Sequence, residues 1–299
     1  PFGSGNTQPA INGTLTVSDC TFTDCHTSAG VNGYSHGGAI DLKRIKALTV
    51  SGSTFTGCHT ATDGSGGAIC YDVEGTLSIS DTTFGEDGDA TKANYADNNG
   101  GAVWTKATTA TIKDSNIYGR GDTGVVAKNG GAVYVAGGRL TIETVTMADN
   151  RVSAYGGGIY LASKTSATES GLKIDGHSGS TIHNDDEQNK NDAAAVEANA
   201  AYGGGVYVGS NASFLFTGGE IVKCKASEYG GAIFTDGTVT IEETNSDTSD
   251  YMRGTIEHCM AVVDGGGMVY NNGWQFGNVT LSDHVVISDG AVVANSCTI

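Results

Sequence analysis

The sequence predicts an all-β fold, a right-handed parallel β-helix of about nine rungs, wound as a single solenoid domain over residues 1–299. Three observations carry that expectation. A glycine doublet followed by a small and then an aliphatic residue returns nine times along the chain, the last copy degenerate. An alternating apolar strand sits between successive doublets. Amphipathic stretches long enough to pack as helices are missing, apart from residues 192–201, which read as one short helix. A repeat of this size cannot bury its own apolar face, so only stacking gives it a core.

The doublets run Gly37 to Ile40, Gly66 to Ile69, Gly100 to Val103, Gly130 to Val133, Gly156 to Ile159, Gly203 to Val206, Gly230 to Ile233 and Gly265 to Met268, then Asp289 to Val292. Their spacings are 29, 34, 30, 26, 47, 27, 35 and 24 residues, which suits one coil of three short strands and three turns with loops of variable length. The longer intervals place lateral insertions near residues 175–202 and 242–254. With 46 glycines against 2 prolines, glycine is expected at corners that need a positive φ or a close backbone approach.

The strand pattern reads Leu15, Val17, Phe22 and Cys25, then Leu48, Val50, Phe55 and Cys58, then Leu77, Ile79, Phe84 and Asp87, and continues to Val279, Leu281, Val286 and Asp289. Equivalent residues should stack into dry columns, with right-handed winding as the default for parallel connections. At ~4.8 Å per rung the rod would be on the order of 40 Å long.

The charge balance narrows function. There are 33 acidic and 16 basic residues, a net charge of -17, and no basic stripe for a phosphate backbone, so nucleic acid is not an expected partner. No run of 18 apolar residues marks a transmembrane segment, and no leader opens the chain. A start at Pro1 and the lack of a polar cap at either end suggest a piece of a longer product, or a subunit that stacks end to end. Seven cysteines in a Gly/Thr/Ser-rich chain point to an oxidising compartment, hence an extracellular or cell-surface location.

Aligned rungs put Cys25 beside Cys58 and Cys224 beside Cys259, which suggests two rung-to-rung disulfides, against the alternative of stacked reduced thiols. Cys20 and Cys297 would then be available for intermolecular bonds. The residue after each aliphatic position should face outward. That column contains Trp104, Tyr134, Tyr160, Tyr207 and Phe234, which is either a stiffening ladder or a contact face for glycans or another subunit. Val269 is the next expected member. Trp274 and Phe276 form a further contact candidate in a Gly-rich turn. Asn12, Asn211 and Asn278 fit the glycosylation acceptor pattern. Arg120, Gly121 and Asp122 spell an RGD tripeptide in an expected turn.

The GGA[IV] doublets with apolar-x-x-Cys or apolar-x-x-Asn between them resemble the GGAI and FxxN repeats of chlamydial polymorphic outer-membrane proteins and of related adhesin-like surface proteins. The resemblance covers residues 11–299. It implies a β-helix, surface display and adhesion, with a host protein or surface glycan as partner.

The expected function is therefore non-enzymatic, an adhesin-type or structural scaffold, with a self-assembling filament or sheath subunit as the alternative. A polysaccharide lyase or glycoside hydrolase is the second alternative, since such enzymes also use β-helices. The five arginines do not fall on a strand face together with clustered Asp, and no nucleophile motif or HExxH is present. No catalytic residue and no cofactor is expected, beyond weak Ca²⁺ binding at acidic loops such as Glu86, Asp87 and Asp89 or Asp185, Asp186 and Glu187.

Overall fold

The computed structural model describes residues 9–28, 35–121, 124–163, 170–174, 181–183, 200–216, 219–241, 254–257, 259–261, 269–271, 278–281, 286–288 and 293–295. The chain is an all-β solenoid made of parallel sheets, and the helical turn described in full is a 3₁₀ segment at Ala90–Lys92. Every strand pairing is parallel, between segments one repeat apart.

One sheet carries nine short strands in chain order, from Ile40–Leu42 and Ile69–Tyr71 through Val103–Thr105, Val133–Val135 and Ile159–Leu161 to Val293–Asn295. A 16-stranded sheet holds two rows, one starting at Ile11–Ser18 and the other at Thr21–Thr23. In Thr109–Tyr118 and Arg139–Ala148 the two rows merge into single long strands. A third, five-stranded sheet runs Ala127–Asn129, Val152–Tyr155, Ala200–Tyr202, Lys225–Tyr229 and Met260–Ala261.

Registers reproduce the columns expected from the sequence. Leu48, Leu77, Ala110 and Leu140 pair in succession, as do Val50, Ile79, Ile112 and Ile142, and all are buried. Phe22, Phe55 and Phe84 stack with ring centroids 4.6 and 5.0 Å apart. These columns form one continuous core. Period-2 alternation therefore buries one face of each strand, and in-register stacking seals it from water.

Corners are set by backbone conformation. Gly66 sits at φ 70°, where any Cβ would strike the Ile69 carbonyl, and a Cβ on Gly67 would strike the Gly101 carbonyl of the next coil. The first glycine of the doublet thus turns the chain, and the second lets adjacent coils approach. A second corner recurs at Asp19, Gly52, Asp81, Asp114 and Thr144, all with φ between 47 and 56°. Short polar side chains tolerate this left-handed region better than apolar ones. Next to it, Ser53, Thr82 and Ser115 return hydroxyl hydrogen bonds to the backbone two residues earlier, at 2.8, 2.7 and 2.6 Å.

Three expectations change. Ala200 and Ala201 open the strand Ala200–Tyr202 and do not end a helix, because that strand continues the third sheet beside Val152–Tyr155; residues 192–199 lie outside the described residues. Near the C-terminal end the register slips by one. Phe234 pairs with Tyr270, not Val269, and Ile256 pairs with Ile287, not Val286. An extra residue between motifs moves each side chain to the opposite face of its strand.

Candidate functional site

The outward position of the nine-stranded sheet carries an aromatic ladder. Trp104, Tyr134, Tyr160, Tyr207, Phe234 and Tyr270 pair in register. Successive rings lie 6.3, 4.7, 4.8, 5.3 and 5.3 Å apart, with interplanar angles of 20° or less. The third sheet supplies a second column, Tyr155, Tyr202 and Tyr229, that packs against the first. Tyr155 lies 4.9 Å from Tyr207, Tyr202 meets Phe234 edge-on at 5.2 Å, and Tyr229 lies 4.6 Å from Tyr270.

This packing decides what the ladder can do. Ring faces are used on one another, so the outward surface consists of ring edges and phenol hydroxyls. Trp104, Tyr134 and Tyr160 are half-buried, whereas Tyr207 and Phe234 are buried. The Tyr207 hydroxyl donates to Asp236 Oδ2 at 2.7 Å. Burial pushes the Tyr134, Tyr160 and Tyr207 phenols above their ordinary range, and the Asp236 carboxylate reinforces the shift at Tyr207. The ladder is thus a neutral, stiff, amphipathic stripe.

A second column was not singled out from the sequence. At the corner that follows the Phe column, His26 and His59 stack at 5.0 Å, and His59 stacks on Tyr95 at 4.6 Å. The Arg120 guanidinium lies over Tyr95, 4.0 Å from the ring centroid. Each imidazole uses Nδ1 on the carbonyl two residues earlier, at 3.0 Å, which leaves Nε2 on the outer edge. A cleft of about 490 Å³ opens beside this column, lined by Asp24, Gly57, His59, Ala90, Thr91, Tyr95 and Arg120. The Asp24 carboxylate fills the space that a side chain on Gly57 would need. Only Arg120 was legible beforehand, as part of the RGD tripeptide; Asp122 lies outside the described residues. Tyr95 escaped notice because it lies 11 residues after Phe84, beyond an irregular loop.

The same loop hid Asn94. It occupies the buried corner position held by Cys58 in the preceding coil, accepts from Cys58 N at 2.9 Å and donates to the Phe55 carbonyl at 2.8 Å. Asn150 plays this part further on, donating to the Ile117 and Ala148 carbonyls. Asp87, the residue expected at this position, is exposed.

The expected disulfides are not formed. Cys20, Cys25, Cys58, Cys70, Cys224 and Cys259 are not joined in disulfides. Cys25 and Cys58, like Cys224 and Cys259, do face each other across adjacent coils, as the flanking pairings show. In-register Cβ atoms follow the ~4.8 Å strand spacing, however, while a disulfide draws them to about 3.8 Å. The Cys58 and Cys259 thiols instead lie within hydrogen-bond reach of the Phe22 and Ile221 carbonyls, both at 3.6 Å. Burial pushes Cys58 up to about 12 and raises Cys70 further.

Cys20 is partly buried, its thiol 3.1 Å from the Ser18 carbonyl. Asn12 and Asn211 are exposed, and Asn278 opens the strand Asn278–Leu281. Cys297, Trp274, Phe276 and the loop 185–187 lie outside the described residues. Among the described residues no three His, Cys, Asp or Glu side chains converge on a metal-sized site. In the acidic loop Asp89 accepts from the Thr91 hydroxyl at 2.6 Å and from Thr91 N at 2.9 Å, and the hydroxyl first, then the backbone N–H, lowers its pKa. No helix among the described residues is long and apolar enough to cross a membrane.

No protein-family model matches the chain, and no curated protein or solved structure matches it significantly.

Proposed function

We propose that this chain is a non-enzymatic scaffold of the adhesin type, displayed outside the cell or on its surface, and that the aromatic ladder is its contact face. We read the solenoid as right-handed with about nine rungs, in keeping with the general handedness of parallel connections. The observation that carries the reading is the ladder itself, in register from Trp104 to Tyr270 with a flanking tyrosine column. One stiff, amphipathic row repeats along the rod, which suits a surface presented to a partner. The partner is a host protein or surface glycan, or another copy of the chain, and no cofactor is required.

Two measurements test this. Antibodies against the chain should label intact source cells or their medium. The immobilised protein should retain cells or glycans, and Tyr134→Ser with Tyr160→Ser should cut that retention at least tenfold while strand content measured by circular dichroism is kept. Cytosolic confinement, or turnover of polysaccharides by the purified chain, would overturn the reading.

A further inference from the structure

The outward face of the strand row that starts at Ile11–Ser18 carries hydroxyls in two dimensions. Its middle column reads Thr16, Thr49, Ser78, Thr111 and Thr141, paired in register through five coils. Two residues away along the same strands, Thr14, Thr76 and Thr109 stand on one side, and Ser18, Ser51 and Ser80 on the other. All of these are exposed or half-buried. In the first three coils eight of the nine positions are Thr or Ser, with Ala47 the exception. Charge enters these columns only further on, at Lys113, Arg139 and Glu143. Ser51 donates to Ser18 Oγ at 3.3 Å, and the hydroxyls of Thr16, Thr49, Ser78 and Thr111 have no hydrogen-bond partner among the described residues.

The face is also flat. Adjacent strands of an ordinary sheet are rotated by about 20–25°. In the same three coils the Phe22, Phe55 and Phe84 rings differ by only 5 and 11°, and His26 and His59 by 8°. The coils thus stack almost without twist, and the hydroxyls repeat at ~4.8 Å from coil to coil and about 6.6 Å between alternate residues of a strand. Both repeats are close to those of the oxygen atoms on a prism face of hexagonal ice.

We propose that this face binds ice. Its partner is a neutral, planar lattice of water, and the patch answers it in repeat, in flatness and in lack of charge. A charged side chain holds water that the lattice cannot incorporate, and stripping that water is costly. The molecule carries a net charge of -17, yet the first three coils of these columns carry none. Each hydroxyl contact is weak, but the lattice engages the whole array at once, so retention grows with the number of coils in register. A crystalline polysaccharide is also flat and hydroxylated, but these columns offer no aromatic ring face on which a sugar could stack.

The face is separate from the aromatic ladder and does not rest on the adhesin reading. The whole chain would be frozen slowly onto a growing ice hemisphere beside an unrelated globular protein, and its inhibition of ice recrystallisation followed under the microscope. The chain is expected to enrich in the ice at least threefold over the control and to keep ice grains small. Thr49→Tyr places a ring at the centre of the array, on an exposed strand where tyrosine is well tolerated, and should lower enrichment to that of the control with the circular dichroism signal unchanged. Ser78→Lys, which adds a charge in the next coil, should do the same. Tyr134→Ser with Tyr160→Ser in the ladder should leave enrichment intact. Exclusion of the native chain from ice, unchanged enrichment in both Thr49→Tyr and Ser78→Lys, or retention on crystalline cellulose that Thr49→Tyr abolishes would each overturn the assignment.

Discussion

Asn94 shows how much a single corner residue carries. Its side-chain amide satisfies one buried backbone donor and one buried carbonyl of the coil before it. Asn94→Ala would orphan both, and each unsatisfied buried group costs about 1–3 kcal/mol, so a loss of roughly 2–4 kcal/mol in urea unfolding is expected. Asn94→Asp should be nearly as harmful, because a carboxylate cannot donate to the Phe55 carbonyl. A midpoint unchanged in Asn94→Ala would show that water replaces the amide. The thiols give a second test at this scale. Ellman titration of the native protein should find Cys20 and Cys25 reacting first, since both are partly exposed, while Cys58 and Cys70 stay silent until the chain unfolds. A reduced and a non-reduced sample with different thiol counts would restore the disulfides that the strand spacing disfavours.

Individual strands here are two to ten residues long, and none is stable alone, so their stability comes from columns. Tyr160 sits mid-ladder between Tyr134 and Tyr207, at 4.7 and 4.8 Å. Tyr160→Ala should cost about 2–3 kcal/mol, whereas Tyr160→Phe should be nearly neutral, because the stack uses the ring and not the hydroxyl. Equal losses in both variants would place the energy in the hydroxyl. The core columns and this ladder were legible in the sequence because period-2 alternation and the glycine doublets mark face and corner in almost every repeat. Two kinds of feature were not. The one-residue slip that brings Tyr270 into the ladder changes a register without altering composition. The Asn94 and Tyr95 positions follow a ten-residue excursion after Phe84 that no fixed offset captures. The His–Tyr–Arg column was only half legible, since His26 and His59 each follow the Phe of their repeat by four residues, whereas Tyr95 follows Phe84 by 11 and Arg120 follows Ile117 by 3.

For the whole molecule, the groups with raised pKa values are spread along the rod, from Cys58 and Cys70 through Tyr134, Tyr160 and Tyr207 to Cys224. Burial holds the others neutral in the folded state, and at Cys224 the hydrogen bond with the Cys259 thiol does so first, with burial adding to it. In the unfolded chain thiols ionise near roughly 8.5 and phenols near about 10. As pH rises past those values the unfolded state releases protons that the folded state keeps, so the balance shifts toward unfolding. The stabilisation is complete below about pH 8.5 and is lost as pH climbs toward the folded values, which for Cys58 lie at about 12. Because coils contact only their neighbours, ionisation of one buried ring exposes the next, and the loss should propagate. An alkaline titration is expected to show the Tyr134, Tyr160 and Tyr207 phenols ionising together with the collapse of the β-sheet circular dichroism signal, in one steep step above pH 10. If those three phenols, followed individually by NMR, ionised near pH 10 with the sheet signal intact, burial in the ladder would not be what holds them neutral.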